Sequence, residues 1–576
     1  MNRELFGVFG DVEAFERFRS REEFDAVLAG STVTVGLRDP DLGTPGWSAC
    51  HSGDAGCCCI WGEVYVPGDD SNAARWLLEQ YETDGRNALE RLNGSYLAVL
   101  DHEVIGDAFV VTDPVRSREC FYTTDPDVRI FGTDAAEVAR TITKPTFDRD
   151  GILEFLHLGL MLGEKTAVTE LRRLPIDSRL TPTSVDSLDR FRYQPTEFDY
   201  VGELADRLER ALERRRSLPG RKGVLLSAGY DSRIILSQLP EIAHSYTVGS
   251  PDAQEVRGAR CLASQYDTDH TAFSPDERYL RPDESKVRYS QGIKESLHIH
   301  HAGYTDEIDA ETMYHGLLCD TFFRGHFTAA ETVDVVGKRV PTGRLDPDPD
   351  PVETLLEKFG YSREASLELA DRTSFDVDPE AFVSEAVADE FDARKSRANG
   401  AQNALSCCGI ANQPSVPFHT HLSDHFVTSF LATDRELIDW HLRTPPAHRT
   451  TETFLRACEL LDSDVLRHRP PDRPHDMTLL NEIEGFFRRK VPLLSSFEPP
   501  WPDRTTLFDR YELDRHSLAD LENVHGLPAR HKLRVIDLRS WVQSWAASRV
   551  RSLPWLQPEH DPTAESKRRP DSLRNP

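Results

Sequence analysis

Two hydroxyls and a carboxylate lie within six residues in "SAGYDS": Ser227, Asp231 and Ser232. Hydroxyls donate to phosphate oxygens, and a carboxylate beside them can hold magnesium against the same oxygens, so the set suits a polyphosphate. The flanks fit that use. "VLLS" is short and aliphatic, as a fully buried parallel strand is. "DSRIILSQL" opens with helix-starting residues and sets Ile234, Ile235 and Leu239 at near-helical spacing. The turn therefore joins the carboxyl end of a strand to the amino end of a helix, where unpaired N–H groups and the helix dipole attract an anion. Gly229 alone would serve any connector; the three polar side chains together ask for phosphate. No Lys follows the glycine, so this is not a Walker A loop.

The elements that must carry this turn begin near residue 201. "VGELADRLERALERRR", "GVLLS", "DSRIILSQL", "HSYTVG" and "AQEVRGARCLASQYD" alternate helix and strand, the pattern of parallel βαβ units. Before them, residues 1–195 hold short β-like segments, among them "STVTVGL", "CCCIWGEVYV", "GSYLAVLD", "AFVVTD", "CFYTTD" and "VRIFGTD". Helices are expected at "SNAARWLLEQYETDGRNALERL" and "RDGILEFLHLGLML". Beyond about 350 the pattern is mainly helical and ends around "KLRVIDLRSWVQSWAASRVRSL"; Trp541 and Trp545, at i and i+4, read as packing residues. Four segments result: 1–195, 196–470, a helical extension over 471–560, and a polar, disordered tail over 561–576.

Composition narrows the partners. With 576 residues and 39% hydrophobic content the chain can bury several cores. The 68 basic and 97 acidic residues leave a net charge of −29, which repels nucleic acid and anionic membrane surfaces. Scarce lysine beside so much acid has a halophilic look. No run reaches the ~18 apolar residues of a membrane helix, and the start carries no basic-then-apolar leader, so a cytoplasmic protein is expected. The ten cysteines include the adjacent runs Cys57 to Cys59 and Cys407–Cys408, which suit neither disulfides nor a zinc knuckle and read as small apolar residues. His298, His300 and His301 invite a metal, but no acid stands at the usual spacing, and a helix near the substrate pocket is preferred.

On these motifs the sequence resembles the asparagine synthetase family, whose pyrophosphate loop reads Ser-Gly-Gly-x-Asp-Ser; here Ala228 replaces the first glycine. If that position needs a positive φ, the added Cβ strains it. "TVGSPDAQEVRGARCLASQYDTDH" is similar to the family's second strand and following helix, with Glu255 as its acid. "YHGLLCDTFFRGHF" is similar to Gly-x-Gly-x-Asp-Glu, keeping Gly316 and Asp320 but reading Leu318 and Thr321 for the second glycine and the Glu. "VPFHTHLSDHFVTSFL" and "TTETFLRAC" are similar to its later helices, and "FGVFG", "WGEVYV", "LERLNGSYLAVLD" and "VVTDPVRSRECFY" to its first half, so the resemblance runs from about 5 to 470.

The resemblance implies an α/β and α+β chain: an Ntn-type αββα sandwich of the class II glutamine amidotransferase kind, then a parallel-sheet ATP-pyrophosphatase domain of the adenine nucleotide alpha hydrolase kind with a helical end. It implies ATP and Mg2+. Ser227, Ala228, Gly229, Tyr230, Asp231, Ser232, Val248 and Gly316 would hold the nucleotide, and Asp231 and Asp320 the metal. Asp320 and Arg324 would be catalytic, and His315 could touch substrate or phosphate. The family's transition-state Lys falls on Glu452, an acid.

A terminal-nucleophile glutaminase needs a thiol on its first residue, but Phe6 stands at that position behind five others, and Trp61 replaces the oxyanion Asn. The expected reaction is adenylation of a small-molecule carboxylate followed by attack of ammonia or an amine, without glutamine hydrolysis. A β-lactam-synthetase-like enzyme on a specialised substrate, and a non-catalytic nucleotide- or partner-binding protein, are the alternatives. Neither nucleic acid nor a membrane is an expected partner, and a homodimer is left open.

Overall fold

The structure is a computed structural model. It describes residues 3–68, 72–124, 128–281, 284–334, 339–473, 475, 480–481, 483–484, 487–488, 502–546 and 553–556. The tail expected over 561–576 lies outside the described residues.

The amino-terminal part is built from twelve short strands: β1 (Glu4–Val8), β2 (Ala26–Ala29), β3 (Thr34–Arg38), β4 (Ala49–Gly53), β5 (Gly56–Gly62), β6 (Tyr96–His102), β7 (Asp107–Thr112), β8 (Phe121–Thr123), β9 (Ile130–Gly132), β10 (Leu171–Arg173), β11 (Ser178–Leu180) and β12 (Val185–Ser187). They form two six-stranded sheets, ordered β10-β8-β9-β1-β3-β2 and β12-β11-β7-β6-β5-β4. Alternation along each strand decides which face goes where. Leu5, Val35 and Leu37 from one sheet meet Trp61, Val99 and Val110 from the other in a shared core. Phe6 and Val8 point the opposite way, onto the helices Ala135–Arg140 and Arg149–Leu158. Ile60, Ala98 and Leu100 pack under the helix Ala73–Asp84. The result is helix, sheet, sheet, helix.

The second part centres on a parallel sheet of β13 (Lys222–Leu225), β14 (Ile242–Val248), β15 (Asp269–Phe273) and β16 (Thr312–His315). A small antiparallel hairpin, β17 (Ala330–Asp334) and β18 (Arg339–Leu345), follows, and β19 (Val427–Phe430) closes the sheet beside β16. The order is β15-β14-β13-β16-β19, so the chain winds outward from β13 in one direction and then the other. Ligands of such sheets bind where that direction reverses, outside the carboxyl ends of the two central strands. Here those strands are β13 and β16.

The helix beginning at Arg149 stops at Leu158, because Gly159 takes φ 82° and turns the chain, so "GLML" lies outside it. Residues 296–298 and 302–307 form single 3-10 turns, which corrects the expected helix through His298, His300 and His301. All ten cysteines are free, and all but Cys50 and Cys261 are buried. Among the described residues no helix is long and apolar enough to cross a membrane.

Buried charges join the two parts. Arg215 pairs with Glu63 at 3.0 Å and Asp434 at 2.7 Å, all three fully buried. Glu119 receives Lys294 at 2.7 Å and Arg116 at 3.1 Å. The carboxy-terminal helix Ala529–Ala546 clamps both: Arg534 donates to the carbonyls of Leu156 and His157, which end the Arg149–Leu158 helix, while Asp537 accepts from the backbone and hydroxyl of Ser296.

Candidate functional site

The loop after β13 delivers residues 226–230 to the switch point, and the helix Asp231–Gln238 starts from it. Tyr230 occupies the cap position in the helical region and makes no side-chain cap. The helices after β14 and β16, Gln254–Gln265 and Cys319–Phe323, also lack a capping side chain. Elsewhere Asp, Asn, Ser or Thr caps close most helices, as at Asp11, Asn72, Asp134, Asp148 and Asp199. The open amino ends thus gather around β13, where their N–H groups remain for an anion.

The loop is braced from within. Ser232 Oγ accepts from the Ser227 N–H at 3.3 Å, and Ser227 Oγ accepts from the Gly229 N–H at 3.2 Å. Arg233, fully buried, donates to the carbonyls of Ala228 and Gly229 and, across the fold, to those of Val465 and His468. Its four acceptors turn the loop carbonyls away from the site. Ala228 is absent from the positive-φ residues, so its Cβ carries none of the strain considered above.

The strain sits instead at Leu318, the other glycine replacement, which takes φ 64°. A non-glycine residue there costs about 1–2 kcal/mol. Leu318 is also buried in the sheet's core, and losing a buried leucine costs about 2–5 kcal/mol. Packing outweighs strain, so Leu318→Gly is expected to destabilise the protein by about 1–3 kcal/mol in urea unfolding; a stabilised variant would reverse that ranking. Gly316 is required for a different reason. A Cβ there would lie 2.7 Å from the Asp231 carbonyl carbon and 2.8 Å from the Ser232 nitrogen, so only glycine lets the β16 loop touch the start of the Asp231 helix.

That contact brings the two acids together. Arg324 lies between them and donates through Nη1 to Asp231 Oδ1 at 2.7 Å. Burial, opposed by Arg324 and reinforced by Asp320, holds the Asp231 carboxyl above its usual range. Burial also works against the Arg324 charge, yet Asp231 and Asp320 hold that group above its ordinary value. Asp320 accepts from the Thr321 N–H at 2.7 Å, with His326 Nδ1 at 3.5 Å. Tyr230 is enclosed by three guanidinium groups, Arg233 at 5.2 Å, Arg324 at 5.4 Å and Arg473 at 5.6 Å from its ring centre. Val248 is buried at the end of β14.

Glu452 lies in the first turn of the helix Thr451–Leu461 and is exposed, so it brings no carboxylate inward. Its neighbour Thr451 accepts from Arg324 Nε at 3.4 Å. The site's cation therefore comes from the helix after β16. His315 turns away: it is buried and joins a chain through His419, Ser95 and Ser117 to Asp113, with links of 3.1, 3.1, 2.7 and 2.6 Å.

The residues fit a metal carried in by a polyphosphate. Magnesium needs one or two carboxylates with phosphate oxygens completing its shell, which Asp231 and Asp320 can supply. Among the described residues no group of three His, Cys, Asp or Glu side chains would enclose an ion without phosphate.

Residues 203–283 match the asparagine synthase family model. The asparagine synthase-like span includes the phosphate loop, β14 and β15 and ends before β16, so Asp320 and Arg324 reach it only through the fold. The resemblance read from "SAGYDS" is borne out there. No curated protein gives a significant sequence match. Among solved structures, glutamine phosphoribosylpyrophosphate amidotransferase from B. subtilis, complexed with ADP and GMP, aligns at 10% identity over 70% of this chain and 96% of its own, with a TM-score of 0.22. A structure of the allosteric regulatory enzyme of purine biosynthesis aligns at 10% identity over 72% of this chain and 98% of its own, with a TM-score of 0.23.

Proposed function

We propose that the chain is an asparagine synthase-like, ATP-dependent ligase that activates a small carboxylate by adenylation, releasing pyrophosphate, and joins it to ammonia or an amine. The observation that carries this reading is the meeting of Asp231, Asp320 and Arg324 at the switch point, beside three uncapped helix starts. Ser227, Ser232 and the free N–H groups of the loop would orient the departing pyrophosphate; Arg324 and Arg473 would offset its charge. Magnesium, held by Asp231 and Asp320, would stabilise the same leaving group electrostatically. The amine loses a proton as the amide forms. Purified protein is expected to release pyrophosphate from ATP only when a carboxylate and an amine are both supplied; release that ignores both, or none across a panel of acids and amines, counts against the ligase.

Glutamine hydrolysis forms no part of this proposal. Glu4 and Leu5 pair with Arg38 and Leu37 ahead of Phe6, so Phe6 lies within a strand, and its ring is fully buried against Phe15 at 5.8 Å. Trp61 is buried with the Arg118 guanidinium 4.4 Å over its ring. No thiol or free amine stands there to attack an amide. Glutamate release from glutamine should stay at the uncatalysed level, and a measurable rate would refute this part.

A further inference from the structure

One cavity is built by residues that the site above does not use. It has a volume of about 390 Å³, within the size range of small-molecule sites. Its walls come from the 3-10 turn at 296–298, from Leu317 directly after Gly316, from the start of the helix Val416–His425, and from the carboxy-terminal helices Arg504–Arg510 and Ala529–Ala546. Arg504, Arg530, His298 and His300 line it, and no acidic side chain does, in a chain of net charge −29.

Three further observations point to an anion. Arg504 Nε is buried without an acceptor among the described residues, and a buried N–H is costly to leave unmatched. The helix Val416–His425 opens at the cavity with Ser415, whose hydroxyl makes no cap, so its first-turn N–H groups and dipole face the space. The floor is rigid: Glu295 is gripped by Arg530 at 2.7 Å and Arg534 at 2.7 Å, and Asp537 holds Ser296 at 2.7 Å. That single carboxylate faces two guanidiniums, so the surroundings keep a positive excess.

Leu317 is one residue from the glycine that touches the Asp231 helix, which places the cavity next to the activation site. Resting on the ligase reading for its role in catalysis, we infer that this cavity receives the anionic end of an organic acid, with Arg504 as its specificity-determining contact, while the acid's other carboxylate faces the nucleotide. The carboxy-terminal helices would then serve to complete the substrate pocket.

The test is equilibrium binding of aspartate, glutarate and inorganic phosphate to the full chain by calorimetry, without nucleotide. At least one of the two dicarboxylates is expected to bind, roughly ten- to hundredfold more weakly in Arg504→Gln and with partial recovery in Arg504→Lys. Ser415→Asp, which sets a like charge at the helix start, should weaken it as well. Equal binding by wild type and Arg504→Gln overturns the inference; so does binding of phosphate alone, or of none of the three. Asp231→Asn should bind the acid normally while losing pyrophosphate release. Arg504-dependent binding in a wild type that releases no pyrophosphate would therefore sink the ligase and leave the pocket standing.

Discussion

Asp231→Asn is expected to lower pyrophosphate release by at least 10²- to 10³-fold while the protein stays folded. Asn keeps the shape and one acceptor oxygen, so Arg324 retains a neutral partner at the 2.7 Å contact and still faces Asp320. What goes is a charge that does two things: it fixes the guanidinium in the site and offers the metal an oxygen. Removing one preorganised electrostatic contact from a transition state costs about 10²–10³ in rate, and a lost metal ligand adds to that. Uncoupling Arg324 from a full carboxylate should cost stability by only about 1–3 kcal/mol. Steady-state pyrophosphate release with thermal unfolding of the same sample separates the two effects. A variant that keeps a third of wild-type turnover would remove Asp231 from the chemistry.

The halves of this site differ in how plainly the sequence shows them. The loop from Ser227 to Ser232 is contiguous, and its strand and helix carry their own local signals, so a buried aliphatic run followed by hydroxyls and an acid is readable directly. Asp320 follows from the second motif. The cation that answers Glu452 does not, because Arg324 meets Asp231 only once β16 lies beside β13 and Gly316 permits the approach. The concern over Ala228 dissolves for a similar reason: strain depends on φ, and the left-handed residue is Leu318.

The strand β19 was hidden because "VTSF" is four residues long and follows a helix without a break in composition. In the amino-terminal part, most of the alternating segments are strands, whereas β1, β2 and β10 to β12 are too short or too mixed to signal alone and gain their edges from partners. The carboxy-terminal helix shows a related limit. Arg530, Arg534 and Asp537 share one face, but nothing in their spacing says that Glu295 and Ser296 lie opposite.

Buried histidines give the second large effect, a steep loss of stability in mild acid. His157, His301, His315, His419, His421, His441 and His531 are nearly inaccessible. Desolvation pushes His157 down to about 4 and His315 and His531 to about 3, and holds the other four well below the ordinary range. A histidine with a depressed native pKa stabilises the fold above its unfolded value near 6.5, and that contribution is lost as pH falls, because only the unfolded chain takes up the proton. From pH 7 to 5.5 each forfeits about 1.2 kcal/mol, and the seven together about 9 kcal/mol. Asp537 works in the opposite sense: burial raises it to about 7, so its native state gains protons over the same interval and returns about 1.5–2 kcal/mol. Asp113 and Glu154, raised by burial, oppose the loss further down the scale. The net loss of about 7 kcal/mol is comparable with the whole stability of a typical domain, about 5–15 kcal/mol. Unfolding followed by tryptophan fluorescence should therefore set in between pH 6 and 5 and take up several protons per chain. A chain still folded at pH 4.5 would mean that these imidazoles reach solvent or gain charge partners in the native state.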